Sequence, residues 1–154
     1  FWIGRQHEVI NGYDIRVGWT NDMEIDHFTT LGRDRSSNIN SMEFAVLRDQ
    51  DNRSFYYLGK EYHHHQFWEK AIKILTLYLK EAWYTAEKVK AYIMISDSLW
   101  NLGRDDEAWI YACQALRLNS MSQEAFLMLA KISPVKEQEL WIKHSELATN
   151  DHLL

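Results

Sequence analysis

The feature that most constrains the fold of this chain is the stretch of residues 52–79, which reads as two amphipathic helices in succession. Apolar and small residues recur there at helical spacing, namely Phe55, Leu58, Gly59 and Tyr62 in the first half and Trp68, Ala71, Ile72, Leu75 and Leu79 in the second. His65-Gln66 is the break between the halves. The two helices form an αα-hairpin whose apolar stripe is too wide to be buried by the pair alone, so a neighbouring element must cover it.

Two further hairpins of the same kind follow. In the second, a long helix begins at Ala86 and stops at Gly103, and the acidic residues 105–107 suit the positive end of the next helix dipole. The third begins with Ser122 as N-cap and is interrupted before Pro134, after which a last helix resumes. With one proline and six glycines in 154 residues, the chain has little material for strands and tight turns, which favours an all-α class.

The hairpins repeat one another. Ala71 and Ala108 occupy matching positions and lie 37 residues apart, against about 34 for a tetratricopeptide repeat, and we assign the excess to the connection at residues 82–85. Residues 52–148 therefore resemble tetratricopeptide repeats, with 102–108 as the best local match. The resemblance implies antiparallel αα-hairpin repeats in a right-handed superhelix. Any antiparallel helical bundle would carry similar spacings and stays an alternative.

Small residues mark the expected close contacts between helices. Gly59, Ser96 and Ala130 are predicted to lie where paired helices cross, facing Ala71, Ala108 and Ala112. The aromatic residues outside the binding surface, Trp68, Trp83, Trp109 and Trp141, are predicted to join neighbouring helices. Each hairpin then buries its apolar face on the next, so stability is nearly a sum of neighbour terms.

Repeats of this kind bind partners on the concave face formed by their first helices. The residues predicted to line this groove are Tyr56, Lys60, His63 and His64 from the first hairpin, Lys90, Ile93, Asp97, Trp100 and Asn101 from the second, and Glu124 and Leu127 from the third. The family's clamp of lysine and asparagine residues on a C-terminal carboxylate is not matched, because Tyr56, Met94 and Glu124 occupy the positions that it needs.

The net charge and hydropathy of the chain exclude some classes of binding partner. The net charge is −5 and the basic residues are scattered, so we expect neither nucleic acid nor an anionic membrane surface as a partner. No apolar run approaches the roughly 18 residues that cross a bilayer, and we expect no membrane insertion and a cytoplasmic location. The single cysteine, Cys113, excludes an intrachain disulfide framework.

The first thirty residues differ from the rest. A β-hairpin is predicted by an alternating strand, a two-residue turn signal and a second alternating strand. These are Val9-Ile10, Asn11-Gly12 and residues 13–17. We expect four parts: 1–30 as the β-hairpin segment and end of a truncated catalytic domain, 31–51 as linker and capping helix starting near Ser37 or Asn38, 52–149 as the repeats, and 150–154 as a frayed tail.

The junction before the repeats resembles that of bacterial family 2 glycosyltransferases, between the catalytic domain and a C-terminal tetratricopeptide region. The matching residues are Gly4, Arg5, His7 and Glu8, then Ile25 and His27, then Arg35 and Asn38. The resemblance implies that the nucleotide-binding region and its Asp-x-Asp pair would lie upstream. A divalent metal and a nucleotide sugar then belong to the whole protein, and we expect no cofactor and no activity for this segment alone.

Several residues are of types that act in catalysis or metal binding, but each also has a structural explanation. His7, Glu8 and His27 are candidates for the parent's active site, although His7 and Glu8, as neighbours on a strand, would face opposite ways. The triple histidine 63–65 fans around a helix rather than converging on a metal, so we predict no metal site. Cys113 is predicted to be a small buried apolar residue.

Three functions stay open from the sequence. The first is a helical-repeat interaction or scaffolding module that holds a protein, a peptide or the missing catalytic domain. The second is a segment that contributes His7, Glu8 and His27 to a nucleotide-sugar glycosyltransferase active site. The third is an independent small tetratricopeptide adaptor.

Overall fold

The computed structural model of the chain describes residues 2–3, 9–10, 36–49 and 51–150. Within these ranges there are seven helices: α1 (Ser36–Asp49), α2 (Asn52–His64), α3 (Trp68–Glu81), α4 (Thr85–Asn101), α5 (Asp105–Leu118), α6 (Gln123–Ile132) and α7 (Val135–Asn150). Two short strands, β1 (Trp2–Ile3) and β2 (Val9–Ile10), pair antiparallel. The described part of the chain is therefore almost entirely helical.

The helices pack as three consecutive hairpins, α2 with α3, α4 with α5 and α6 with α7, and α1 packs on α2. Each hairpin rests on the next through α3–α4 and α5–α6, and the first helices also touch through α2–α4 and α4–α6. This arrangement confirms the prediction of αα-hairpin repeats. It places the first helices side by side on one face of the array.

The helix ends follow from local chemistry. The side chain of Asp51 accepts a hydrogen bond from the backbone N–H of Ser54, and Ser122 does the same for Ala125, as expected of N-caps. The turn after α2 has Gln66 at φ 61°, and the turn after α4 has Gly103 at φ 73°. The predicted breaks at 65–66, Gly103 and Pro134 are thus confirmed.

The interval from Ala71 to Ala108 is three residues longer than the tetratricopeptide period, and we assigned the excess to the connection at residues 82–85. In the structure the additional residues are helical instead. Both α2 and α4 end three residues before the following helix, but α2 has 13 residues and α4 has 17. The extra length therefore lies in the first turn of α4, which begins at Thr85 rather than Ala86. Residues 85–88 favour helix, and Glu87 suits the positive end of its dipole.

Close contacts form where small residues were predicted. A Cβ added to Gly59 would lie 2.5 Å from Cδ2 of Leu75, so α2 approaches α3 more closely than any other residue would allow. Ser96 is fully buried and donates a hydrogen bond of 2.6 Å to the carbonyl of Ala108. Ala71 and Ala108 have no exposed surface. The core continues from the first hairpin into the second, because buried residues of α2, α3, α4 and α5 pack in one cluster.

The amino-terminal prediction is unsupported. Strand β2 coincides with the first strand of the predicted hairpin, but the predicted partner at residues 13–17 lies outside the described residues. His7, Glu8 and His27 also lie outside them, as do 31–35 and 151–154. None of the described helices has the length and apolar character that a membrane span requires.

Candidate partner-binding face

The surface formed by α2, α4 and α6, here called the first-helix face, carries most of the predicted groove residues. Exposed members are Lys60, His64, Lys90, Asn101, Glu124 and Leu127, and half-buried members are His63, Ile93, Asp97 and Trp100. These side chains come from three separate helices because each hairpin contributes its first helix to the same side. Whether a partner binds there stays a prediction.

Tyr56 is the exception, because the structure places it in the core. Its side chain is 6% exposed and packs on Tyr78, with ring centroids 5.2 Å apart. Burial, together with the nearby carboxylate of Glu87, raises the pKa of Tyr56 to about 12. The prediction that Tyr56 lines an open groove is wrong, since the packing of α4 on both α2 and α3 covers this position.

A polar row crosses all three first helices. His63 on α2 has its Nε2 2.8 Å from Oδ2 of Asp97 on α4, and Nζ of Lys131 on α6 donates to Oδ1 of the same carboxylate at 2.7 Å. Each contact spans 34 residues, and Asp97 and Lys131 occupy matching positions of the second and third hairpins at the tetratricopeptide period. The hydrogen bond from His63, followed by that from Lys131, lowers the pKa of Asp97 to about 2.

Lys131 also covers an aromatic ring. Its ammonium lies 3.9 Å from the centroid of Trp100, a cation–π contact, while Trp100 itself packs against two clusters of the core. Sequence reasoning missed Lys131. The signal that could have found it is its position 34 residues after Asp97, at the matching place in the next repeat.

A second inter-repeat pair lies toward the start of α2 and α4. Glu87, in the additional turn of α4, accepts hydrogen bonds from Nε of Arg53 at 3.2 Å and from the hydroxyl of Tyr78 at 3.0 Å. Arg53 and Glu87 are again 34 residues apart. Burial, and then the bond to Glu87, raises the pKa of the Tyr78 hydroxyl. One carboxylate therefore joins α2, α3 and α4.

The remaining candidates for metal binding or reactivity, the neighbouring histidines and the cysteine, lie in surroundings that give them no such role. His65 lies 3.8 Å from Glu61, and His64 is exposed. Among the described residues there is no group of three or more histidine, cysteine or acidic side chains that could hold a metal ion. Cys113 is half-buried beside the core, and burial raises the pKa of its thiol. The arrangement supplies charge, hydrogen-bond donors and one exposed leucine, which are binding groups.

The sequence matches no protein-family model, and no curated protein matches it either. Among solved structures, MamA MSR-1 C2, a tetratricopeptide-like protein, matches with a TM-score of 0.65 at 17% sequence identity. The match covers 75% of this chain and 68% of that chain. At this identity the likeness concerns the fold alone. The chain therefore has a tetratricopeptide-like helical-repeat fold.

Proposed function

We propose that this chain is a protein-interaction module that binds an acidic, extended peptide segment of a partner protein along the first-helix face. The observation that carries the proposal is the charge of that face. Its three helices carry five cations against four carboxylates, in a chain whose net charge is −5. The cations are Arg53, Lys60, Lys88, Lys90 and Lys131, and the carboxylates are those of Glu61, Glu87, Asp97 and Glu124. A partner rich in aspartate and glutamate is attracted to this face and repelled by the rest of the surface.

The face offers different groups along its length. Lys60 is exposed, and no described carboxylate lies within ion-pair distance of it, so it is available to a partner. Leu127 is 45% exposed and supplies an apolar contact, while the amide of Asn101 lies at the opposite end of its helix from Lys90. An extended peptide with acidic residues around one apolar side chain fits this order.

A phage-displayed peptide library, panned on the purified chain, tests the proposal. We expect enrichment of peptides with acidic residues flanking an apolar one, and weaker binding by Lys60→Glu and Leu127→Asp. The matched control is Lys73→Glu, which makes the same charge change on the outward helix α3 and should bind like the wild type. Enrichment of basic peptides, or equal loss in the control, would contradict the proposal.

Substitution of Trp100 is a poor test of peptide binding, although Trp100 lies on the first-helix face. Because its ring packs against two core clusters as well as under Lys131, truncating it would cost stability together with binding. Amide chemical shifts of the labelled protein, titrated with an enriched peptide, locate the site without substitution. Shifts confined to α2, α4 and α6 are expected.

We also propose, from the sequence resemblance of residues such as Gly4, His7 and His27, that the module belongs to a family 2 glycosyltransferase-like protein, in which it scaffolds the catalytic domain or holds an acceptor or partner in the cytoplasm. On this proposal the chain by itself binds no sugar nucleotide. Calorimetric titration with UDP-glucose and Mn²⁺ tests this. Binding of UDP-glucose that is lost in His7→Ala would instead favour a direct contribution to an active site. An independent adaptor would bind no UDP-glucose, with or without the substitution.

A further inference from the structure

The short connection between α3 and α4 carries an unusual side chain. Trp83 is 87% exposed, the highest value among the large apolar residues that the structure describes, and its ring lies beside that of the neighbouring Tyr84, with centroids 5.8 Å apart. The prediction that Trp83 joins neighbouring helices is therefore wrong. The connection joins the end of α3 to the additional first turn of α4, and its indole lies in solvent.

Beside Trp83 there is an open cavity of about 760 Å³. It lies between the additional turn of α4, the end of α5 and the start of α6, and its apolar lining includes Tyr84, Ala86, Val89, Leu118, Met121 and Ala148. Tyr84 and Leu118 are 49% and 38% exposed, so the apolar surface continues from the cavity toward the connection. Its volume falls within the range of pockets that enclose drug-sized groups, which are larger than an indole.

The cavity is bordered by one cation and one anion. Lys90 and Glu124 both belong to its lining, and Nζ of Lys90 lies 3.9 Å from Oε1 of Glu124, with side chains 59% and 60% exposed. At that distance and exposure the pair is weak within one chain. A second copy related by a two-fold axis would present the same two charges in reverse order, so that each lysine meets a glutamate.

We propose that this patch is a self-complementary interface for a second copy of this chain, in which Trp83 of each copy enters the cavity of the other. A protruding group and a cavity that lie side by side on one surface meet reciprocally under two-fold symmetry. Tryptophan is the residue type that most often dominates interface energetics when it fills a desolvated pocket. The interface shares Lys90 and Glu124 with the first-helix face, whereas Lys60 and Leu127, on which the peptide-binding test rests, lie outside the cavity lining, so the two proposals can fail separately.

Analytical ultracentrifugation of the full chain, from micromolar to millimolar concentration, tests the first part. The wild type should show a concentration-dependent monomer–dimer equilibrium, and Trp83→Ala should weaken it by at least about 30-fold, as for loss of an interface hot spot. The control is Val135→Ala, which trims an equally exposed apolar side chain on α7 and should leave association unchanged. A monomeric wild type, or a Trp83→Ala variant that still dimerises normally, would overturn the proposal.

Charge exchange tests the pairing between copies. Under two-fold symmetry, Lys90→Glu makes anion meet anion at both contacts and Glu124→Lys makes cation meet cation at both, so each variant alone should be monomeric. Mixed in equal amounts they should form a heterodimer, because the glutamates of one meet the lysines of the other. A contact made only within one chain cannot be restored by mixing. Absence of the heterodimer would therefore exclude the two-fold arrangement.

Discussion

His63 and Asp97 lie 34 residues apart in the chain, on α2 and α4, and their side chains meet at 2.8 Å. The contact joins equivalent faces of successive first helices, and Lys131 extends it to α6 at the same spacing. Asp97 is therefore held by both neighbouring hairpins at once. Its ionisation is coupled to the packing of the array, since only the carboxylate accepts from both partners.

Asp97→Asn should destabilise the protein at neutral pH by about 1 kcal/mol, a value limited by solvent screening of a partly exposed pair. The folded-state pKa of Asp97, about 2, is below that of an unfolded aspartate, so the carboxylate stabilises the fold above about pH 4. This contribution is lost as the pH falls toward about 2. Urea unfolding of both proteins at neutral pH and near pH 2 checks it. A difference in unfolding free energy that does not shrink in acid would contradict the prediction.

Gly59→Ala should lower the free energy of unfolding by about 1–3 kcal/mol, although alanine favours helix by about 1 kcal/mol. The new Cβ would lie 2.5 Å from Cδ2 and 2.6 Å from Cγ of Leu75, which is fully buried and cannot turn aside. Urea denaturation measures the loss. Adding Leu75→Ala should cost less in the Gly59→Ala background than in the wild type; additive losses would show that the two sites do not touch.

Glu87→Ala should cost more stability than Arg53→Ala, about 1–3 kcal/mol against less than about 1 kcal/mol. The arginine side chain is 52% exposed and loses only a surface pair, whereas the glutamate variant leaves the hydroxyl of buried Tyr78 without its acceptor. Thermal unfolding of both variants gives the order. Tyr78→Phe combined with Glu87→Ala should recover part of the loss, and the reverse order of the single variants would refute this account.

Cys113 should react slowly with iodoacetamide in the folded protein and rapidly in urea. Burial raises the pKa of its thiol, so less of the reactive thiolate is present at neutral pH, and the half-buried position hinders the reagent. Mass spectrometry of the alkylated protein over time measures both rates. Comparable rates in the two conditions would show that the thiol is open to solvent.

Much of the fold could be predicted from local signals. Ser122 precedes an apolar run and caps α6, and Gly103 tolerates the positive φ that ends the turn after α4. Such signals act within one turn of the chain, so spacing alone locates them. The crossing of α2 and α3 at Gly59 was also predictable, because a small residue between large ones marks a close approach.

The candidate site was less accessible to sequence reasoning. Tyr56 lies at a position that faces the groove in a simple helical projection, but α4 covers it, and only the packing of three helices decides that burial. Lys131 was missed because its partner Asp97 belongs to another hairpin. Trp83 was misjudged because the exposure of a side chain in a connection depends on how that connection lies against the helices, which spacing along the chain does not give.

The polar pairs between successive hairpins join a basic residue to an acidic one, so the charges of each hairpin suit only its present neighbours. Arg53 meets Glu87, and His63 meets Asp97, which in turn meets Lys131. If the second hairpin were duplicated, a copy of Asp97 would take the position of Lys131 and would face Asp97, so two carboxylates would meet across the new junction. The hairpins are therefore not interchangeable units. Lengthening this array would require new charges at each junction as well as another pair of helices.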